Sequence, residues 1–148
     1  MIPTSSVEYV HLPAGGPLPA LENTPRRIVV LIEQDVEADW QNAVSGWIVN
    51  SGCLYMMAWG RECSSWDDTV DVANLEQFDF GDVSDEHLVM TTWHENDTLE
   101  DVFFFCLCCA EHPVTALSAV TILHICATDQ RATILKTFAS ERAKLDRS

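Results

Sequence analysis

The sequence predicts an α/β domain in three layers, a mainly parallel sheet of four strands in the order 2-1-3-4 with helices on both faces. Three observations lead there. Apolar, β-branched runs recur at 26–34, 53–60, 86–95 and 116–127, as in strands covered on both faces. Stretches with apolar residues at helical spacing fall between and after them. Turn residues and caps separate the two kinds, giving β-α-β-α-β-α-β-α.

Residues 1–25 hold five of the six prolines and the pair Gly15-Gly16. They read as an extended N-terminal arm outside the core, either packed along the body through Val7, Tyr9, Val10 and Leu12 or loose. The domain proper is then 26–148. Its first strand is RRIVVLIEQ (26–34). In EADWQNAVSGWIVNSG (37–52), Trp40, Ala43, Val44, Trp47 and Ile48 lie at helical spacing, and Gly52 is a natural C-cap. CLYMMAWG (53–60) is the second strand. The second helix, SWDDTVDVANLEQFD (65–79), has weaker periodicity. Ser64 or Ser65 caps it, and Asp67 and Asp68 occupy its first turn, where a carboxylate gains about 0.3–1 kcal/mol from the helix dipole. EHLVMTTWHE (86–95) is the third strand. Asp97 with Glu100 reads as a capping box for the helix 98–112, which Pro113 stops. ALSAVTILHICA (116–127) is the fourth strand. Asp129 caps the last helix, 130–146, whose apolar stripe is Ile134, Leu135 and Phe138.

A chain of 148 residues fits one domain, which buries about two-thirds of the surface its unfolded form exposes. No apolar run reaches the ~20 residues of a membrane span, and the first residues lack the basic and apolar regions of a secretory signal. Three of the six cysteines crowd one helix (Cys106, Cys108, Cys109), which is no disulfide framework. They read as reduced thiols in a cytoplasmic protein.

The net charge of −15 is unevenly placed. Between Arg61 and Arg131 there is no Lys or Arg, while 62–130 carries fifteen Asp and Glu. The flanks hold the other eight acids and all eight bases, so the whole excess lies in the middle. Such a field repels nucleic acid and anionic membranes and attracts basic proteins or divalent cations. The plainer reading, that acidity keeps a small protein soluble, does not require so long a base-free stretch.

In an open parallel sheet, ligands bind beyond the carboxyl ends of the strands. Cys63, just before a helix N-terminus, is a candidate nucleophile there, with His94 or His124 as base and Glu95 alongside. Glu62, Asp67 and Asp68 oppose its thiolate. A cysteine-phosphatase loop is excluded, because Thr69 stands where its arginine would be, and there is no Gly-x-Ser-x-Gly elbow. Glu33, Asp35, His94 and Asp129, with Glu95, are candidate hard ligands for Mg²⁺ or Mn²⁺. Against that, Glu33-Gln34-Asp35 is not an Asp-x-Asp signature. Zinc at Cys106, Cys108 and Cys109 lacks a second Cys/His pair. No glycine-rich phosphate loop is present, which excludes the usual nucleotide sites. No cofactor is predicted, and Mg or Mn stays open.

The string SGCLYMMAWGRECSSWDDTVDVANLEQFD, followed by HLVMTTWHEND, resembles an uncharacterised family of small acidic bacterial proteins, a domain of unknown function. The likeness covers 26–140. It implies a bacterial or phage-related source and a compact α/β domain, and it supplies no activity and no functional residue.

The leading expectation is an acidic, non-enzymatic interaction domain that binds a basic protein, in the manner of an immunity protein, an antitoxin or an inhibitor of a nucleic-acid-binding protein. Asp67, Asp68, Asp71, Glu76, Asp79, Asp82, Asp85 and Glu86 form its attracting surface, with Trp66 as anchor. The alternative is a small hydrolase or metal-dependent enzyme using Cys63, His94, Glu95 and His124, which needs those side chains within about 3–4 Å of one another or of a shared ligand. A third reading is a sensing domain with Trp59, Trp66 and Trp93 around a small-molecule pocket.

Overall fold

The computed structural model describes residues 7–147; Ser148 and the first six residues of the arm, Pro3 among them, lie outside the described residues. The elements are β1 (Val7–His11), β2 (Arg26–Ile32), α1 (Ala38–Asn50), β3 (Cys53–Gly60), α2 (Cys63–Glu76), β4 (Met90–Trp93), α3 (Leu99–Cys108), β5 (Ala119–Ile125) and α4 (Arg131–Asp146). A short 3₁₀ turn, Asp85–His87, leads into β4. Every strand pairing is parallel, in the order β1-β5-β2-β3-β4.

The α/β class, the parallel sheet and the helices on both faces are as the sequence predicts. The strand order is not. Among the four expected strands, the last (β5) lies beside the first (β2), on the side away from β3, so 2-1-3-4 is replaced by 4-1-2-3 with β1 added outside β5. The difference lies in where the chain reverses. Right-handed connections put α1 and α2 on one face while the chain steps from β2 to β3 to β4. α3 then carries it back across the opposite face to β5.

The two core layers follow from strand alternation. Ile28, Val30 and Ile32 of β2 join Met56, Ala58, Leu123 and Ile125 under α1 and α2, with Val44, Ile48, Trp66 and Val70. Val29 and Leu31 join Met57 and Ile122 on the other face, with Val102, Phe103, Ile134 and Phe138. β2 is buried at all seven positions, which explains a run with no polar alternation.

Part of the arm belongs to the sheet. β1 pairs with the outer edge of β5 from Val7↔Val120 to His11↔His124, and Tyr9 and Leu12 are buried. The chain then returns across α1, where Trp40 Nε1 donates to the Gly16 carbonyl (3.0 Å) and Trp47 Nε1 to the Pro19 carbonyl (2.7 Å).

Arg26 and Arg27 open β2 on opposite faces and are both buried. Arg26 donates to the carbonyls of Ser51 (3.1 Å), Thr24 (3.3 Å) and Glu22 and to Thr121 Oγ1 (2.9 Å). Arg27 donates to the carbonyls of Ala110 (2.6 Å) and Leu117. Ser51 is the C-cap of α1, and Ala110 follows the C-cap of α3. Each cation therefore sits at the negative end of a helix and ties down the loop beneath its layer.

Helix starts differ in detail. Gly60 (φ +107°) lets the chain leave β3, where a Cβ would stand 2.1 Å from the Ile32 carbonyl oxygen. Glu62 (φ 53°) is the N-cap of α2, which begins at Cys63. Ser64 and Ser65 thus fall inside the first turn, and Ser65 Oγ donates back to the Glu62 carbonyl (2.7 Å). The capping box of α3 is Thr98 with Asp101, one residue beyond Asp97 and Glu100. Asp129 accepts from the Arg131 N–H (2.7 Å), although the N-cap itself is Gln130. Among the described residues, no helix is long and apolar enough to cross a membrane.

Candidate functional site

The carboxyl rim of the sheet holds three separate polar groups. At β1, β5 and β2, the fully buried His124 links two elements. Its Nε2 meets Glu33 Oε1 at 2.7 Å, and its Nδ1 meets the Tyr9 hydroxyl at 2.8 Å. The same hydroxyl accepts from the Gln130 N–H (3.2 Å), and Arg131 lies over the Tyr9 ring. Burial, first, pushes the Tyr9 phenol up to about 12, with Cys126 and Asp129 adding to the rise and the Gln130 N–H opposing it. The chain of side chains thus docks a neutral Tyr9, and with it β1. Tyr9→Phe keeps the ring and leaves His124 Nδ1 without its partner. A loss of roughly 1–2 kcal/mol in urea unfolding is expected, with faster amide exchange confined to β1.

Between the starts of α1 and α2 lies a cleft of about 390 Å³ lined by Gln34, Asp35, Gln41, Arg61, Glu62 and Ser65. Asp35 and Arg61, both exposed, pair across it at 3.4 Å. The Gln41 amide is committed to Ser65 and Thr69. At β4, His94 is bound by Thr92 Oγ1 (2.9 Å) and Asp97 Oδ2 (3.2 Å) and packs edge-on against Phe105.

The fold brings Cys63 beside the His94 backbone and Glu95 but leaves His124 apart from them. His94 follows β4 and His124 lies on β5, with β2 and β3 between them, and each has its own partners. Cys63 is buried. Burial pushes its thiol up and Glu95 adds to the rise, with the His94 backbone N–H pulling the other way. That is the reverse of an activated nucleophile. The metal candidates disperse too. Glu33 is held by His124, Asp35 by Arg61, His94 by Asp97, and Asp129 by the Arg131 N–H. Among the described residues, no three His, Cys, Asp or Glu side chains converge as ligands.

The tryptophans do not share a pocket. Trp66 is fully buried in the layer under α1 and α2, so it is no anchor for a partner. Trp59 packs on the opposite face, with Nε1 donating to the Asp97 carbonyl (2.8 Å). Trp93 is half-exposed at the end of β4.

The acidic surface itself is built by α2 and the segment after it. Asp68, Asp71, Glu76, Asp79, Asp82, Asp85 and Glu86 are exposed and Asp67 is half-buried. Among the described residues, the ion pairs of Arg and Lys go to Glu8, Asp35 and Glu141, and none reaches these eight carboxylates. Burial, first, raises the Asp71 carboxyl, and Asp67 and Asp68 raise it further, although Thr91 Oγ1 donates to it at 2.9 Å. A carboxyl raised by folding stabilises the fold below its unfolded pKa, and that contribution is lost as pH rises through the folded value. Asp71→Asn keeps an acceptor for Thr91 and removes the charge. It should raise the melting temperature at pH 7, with the gain vanishing in acid.

Apolar side chains stand among these acids. Val72, Leu75 and Leu88 are exposed, and Phe80 is exposed by 64%. Asp79 and Phe80 take φ of 51° and 60°, and the Phe80 N–H closes on the Leu75 carbonyl at 2.9 Å. Sequence reasoning placed the anchor at Trp66 and passed over Phe80. The available signal was a phenylalanine in the polar turn Asp79-Phe80-Gly81-Asp82, where glycine or asparagine is the ordinary choice.

A family model described as a domain of unknown function, DUF7684, matches residues 7–141, which takes in every strand and most of α4. No curated protein and no solved structure matches the chain.

Proposed function

We propose, from the premise that the chain belongs to the DUF7684 family and takes no activity from it, that this is an acidic, non-enzymatic domain that binds a basic protein. The binding face is α2 with the segment 77–88, and Phe80 is its anchor. One observation carries the reading. A bulky aromatic is held in the left-handed region with its side chain in solvent, amid carboxylates that no Arg or Lys neutralises. Such a backbone is disfavoured for phenylalanine, by about 1–3 kcal/mol, and glycine would close the same turn without that strain. The exposed ring returns little to the core, so its use lies outside the chain.

An apolar anchor within an acidic rim suits a basic partner. The ring fills a pocket while the carboxylates speed encounter and select for positive charge. Inhibition of a nucleic-acid-binding protein, or an immunity or antitoxin role, is the kind of task such a surface serves. The test is capture from a lysate of the cells that make the protein, at low and moderate salt. A basic protein should be retained, and it should be lost with Phe80→Gly and with Asp68, Asp79, Asp82 and Asp85 all changed to Asn. Retention of no basic protein at either salt counts against the proposal.

A further inference from the structure

We infer that the basic partner engages as an extended segment, added as a further strand along the free edge of β4 with a Lys or Arg set against Asp67 and Asp71; this rests on the basic-partner reading above. Among the described residues, β4 borders β3 alone. The His94 N–H donates to the Ala58 carbonyl at 2.9 Å. By the alternation of a parallel ladder, Met90, Thr92 and His94 turn their backbone groups toward β3, and Thr91 and Trp93 turn theirs outward. Proteins blunt such edges with lysine, proline, a bulge, a covering element or a very short strand, and the four residues of β4 are the last of these, so the added strand is brief. The stretch 88–97 has no Lys and no Pro, and β4 pairs with β3 in unbroken register.

The side-chain surroundings of this edge specify charge. Thr91 and Trp93 lie on the face toward α2, where Thr91 meets Asp71. One helical turn before Asp71, Asp67 Oδ1 is buried and has no hydrogen-bond partner among the described residues. Two carboxylates on one stripe of α2, one of them with an orphaned oxygen, border the outward backbone groups. A cation carried on an added strand meets the exposed Asp71 carboxylate and the accessible side of Asp67, and its apolar neighbours meet Trp93 and Leu88, both exposed. Asn74 fixes where the edge begins, donating to the His87 carbonyl (3.0 Å) and accepting from the Val89 N–H (3.1 Å). A second copy of this chain is a poor occupant, since it brings the same acidic surface.

The experiment uses the whole protein and two capped peptides of alternating lysine and valine, one normal and one with alternate backbone nitrogens methylated. The normal peptide should bind and slow exchange of the Thr91 and Trp93 amides. Methylation, which removes strand hydrogen bonds and leaves the charge, should weaken binding by roughly tenfold or more. Trp93→Pro should weaken binding beyond Trp93→Ala, which loses the same indole but keeps the outward N–H; circular dichroism and melting of both variants confirm folding. Equal binding of both peptides, with shifts confined to α2 and Phe80, overturns the edge and leaves the acidic face standing. No binding by either peptide counts against both. Protection of Thr91 and Trp93 that rises with protein concentration, without peptide, also overturns it, because the edge then serves a second copy.

Discussion

Phe80→Gly leaves the fold as stable as before or more stable, by up to about 1 kcal/mol, and weakens partner binding by roughly 30-fold. The two halves of that result have separate causes. Glycine occupies φ near 60° without the clash a Cβ introduces, and the bond from residue 80 to the Leu75 carbonyl uses only backbone. The phenyl ring is exposed by 64%, so its removal forfeits little burial in the free protein. In a complex the same ring is the apolar centre of a charged face, where truncation of an aromatic anchor typically removes ~2 kcal/mol or more. Denaturant unfolding and calorimetry with the captured partner measure the two halves independently. If stability and affinity fall together, Phe80 supports the fold and the anchor assignment fails. If affinity is unchanged, the partner binds elsewhere.

Arg26→Leu lowers stability by about 3–5 kcal/mol, with Arg27→Leu close behind. Exchanging a buried ion pair for apolar residues is often harmless because both partners can be replaced together. Here the acceptors are main-chain carbonyls at Glu22, Thr24, Ser51, Ala110 and Leu117, which no side-chain substitution removes. Losing the guanidinium takes a charged donor from each of them, although the Ser51 carbonyl keeps the Thr24 N–H (3.1 Å), and it frees the loops under both layers. The exposed Arg61 is the control. Its pair with Asp35, at 3.4 Å between two solvent-exposed side chains, contributes under about 0.5 kcal/mol, so Arg61→Leu should unfold at nearly the wild-type urea concentration. A midpoint for Arg26→Leu within error of wild type shows instead that the loops close without the clamp.

The arginines illustrate what a linear reading leaves out. In sequence, Arg26 and Arg27 count as flanking bases that cancel flanking acids. In the fold they are nearly inaccessible and serve as helix-terminal donors on opposite faces. Nothing local in RRIVVLI says so, because the carbonyls they meet are up to 90 residues away. β1 was illegible for a similar reason. Five residues with one fully buried side chain, Tyr9, give no periodic signal, and their partners lie on β5. The strand order carried a faint trace. β4, with Thr91, Thr92 and an exposed Trp93, is visibly less apolar than β2 or β5, as suits an edge. A right-handed crossover fixes which face a helix covers for a given step, and it leaves open where the chain reverses.

The site followed the same division. The charge asymmetry is a property of composition, and folding kept it, because among the described residues no Arg or Lys forms an ion pair with the carboxylates of 67–86. Which side chains stand out from that surface was a tertiary matter. Trp66 lies in α2 and Phe80 just after it, and their exposures are the reverse of what aromatic size suggests. Helical phase turns Trp66 inward at the start of α2, and a left-handed turn pushes Phe80 outward at its end.

The amino-acid sequence alone determined the alternation of strands and helices, the burial of the central strands and the unbalanced acidity, because each arises from residue type and spacing within a few neighbours. Only the tertiary structure decided that the chain reverses after β4, that His124 joins Tyr9 to Glu33 rather than meeting His94, and that an aromatic stands exposed among the carboxylates. The first two depend on contacts between residues distant in the chain, which local propensity does not encode, and the third on a left-handed backbone that residue type disfavours.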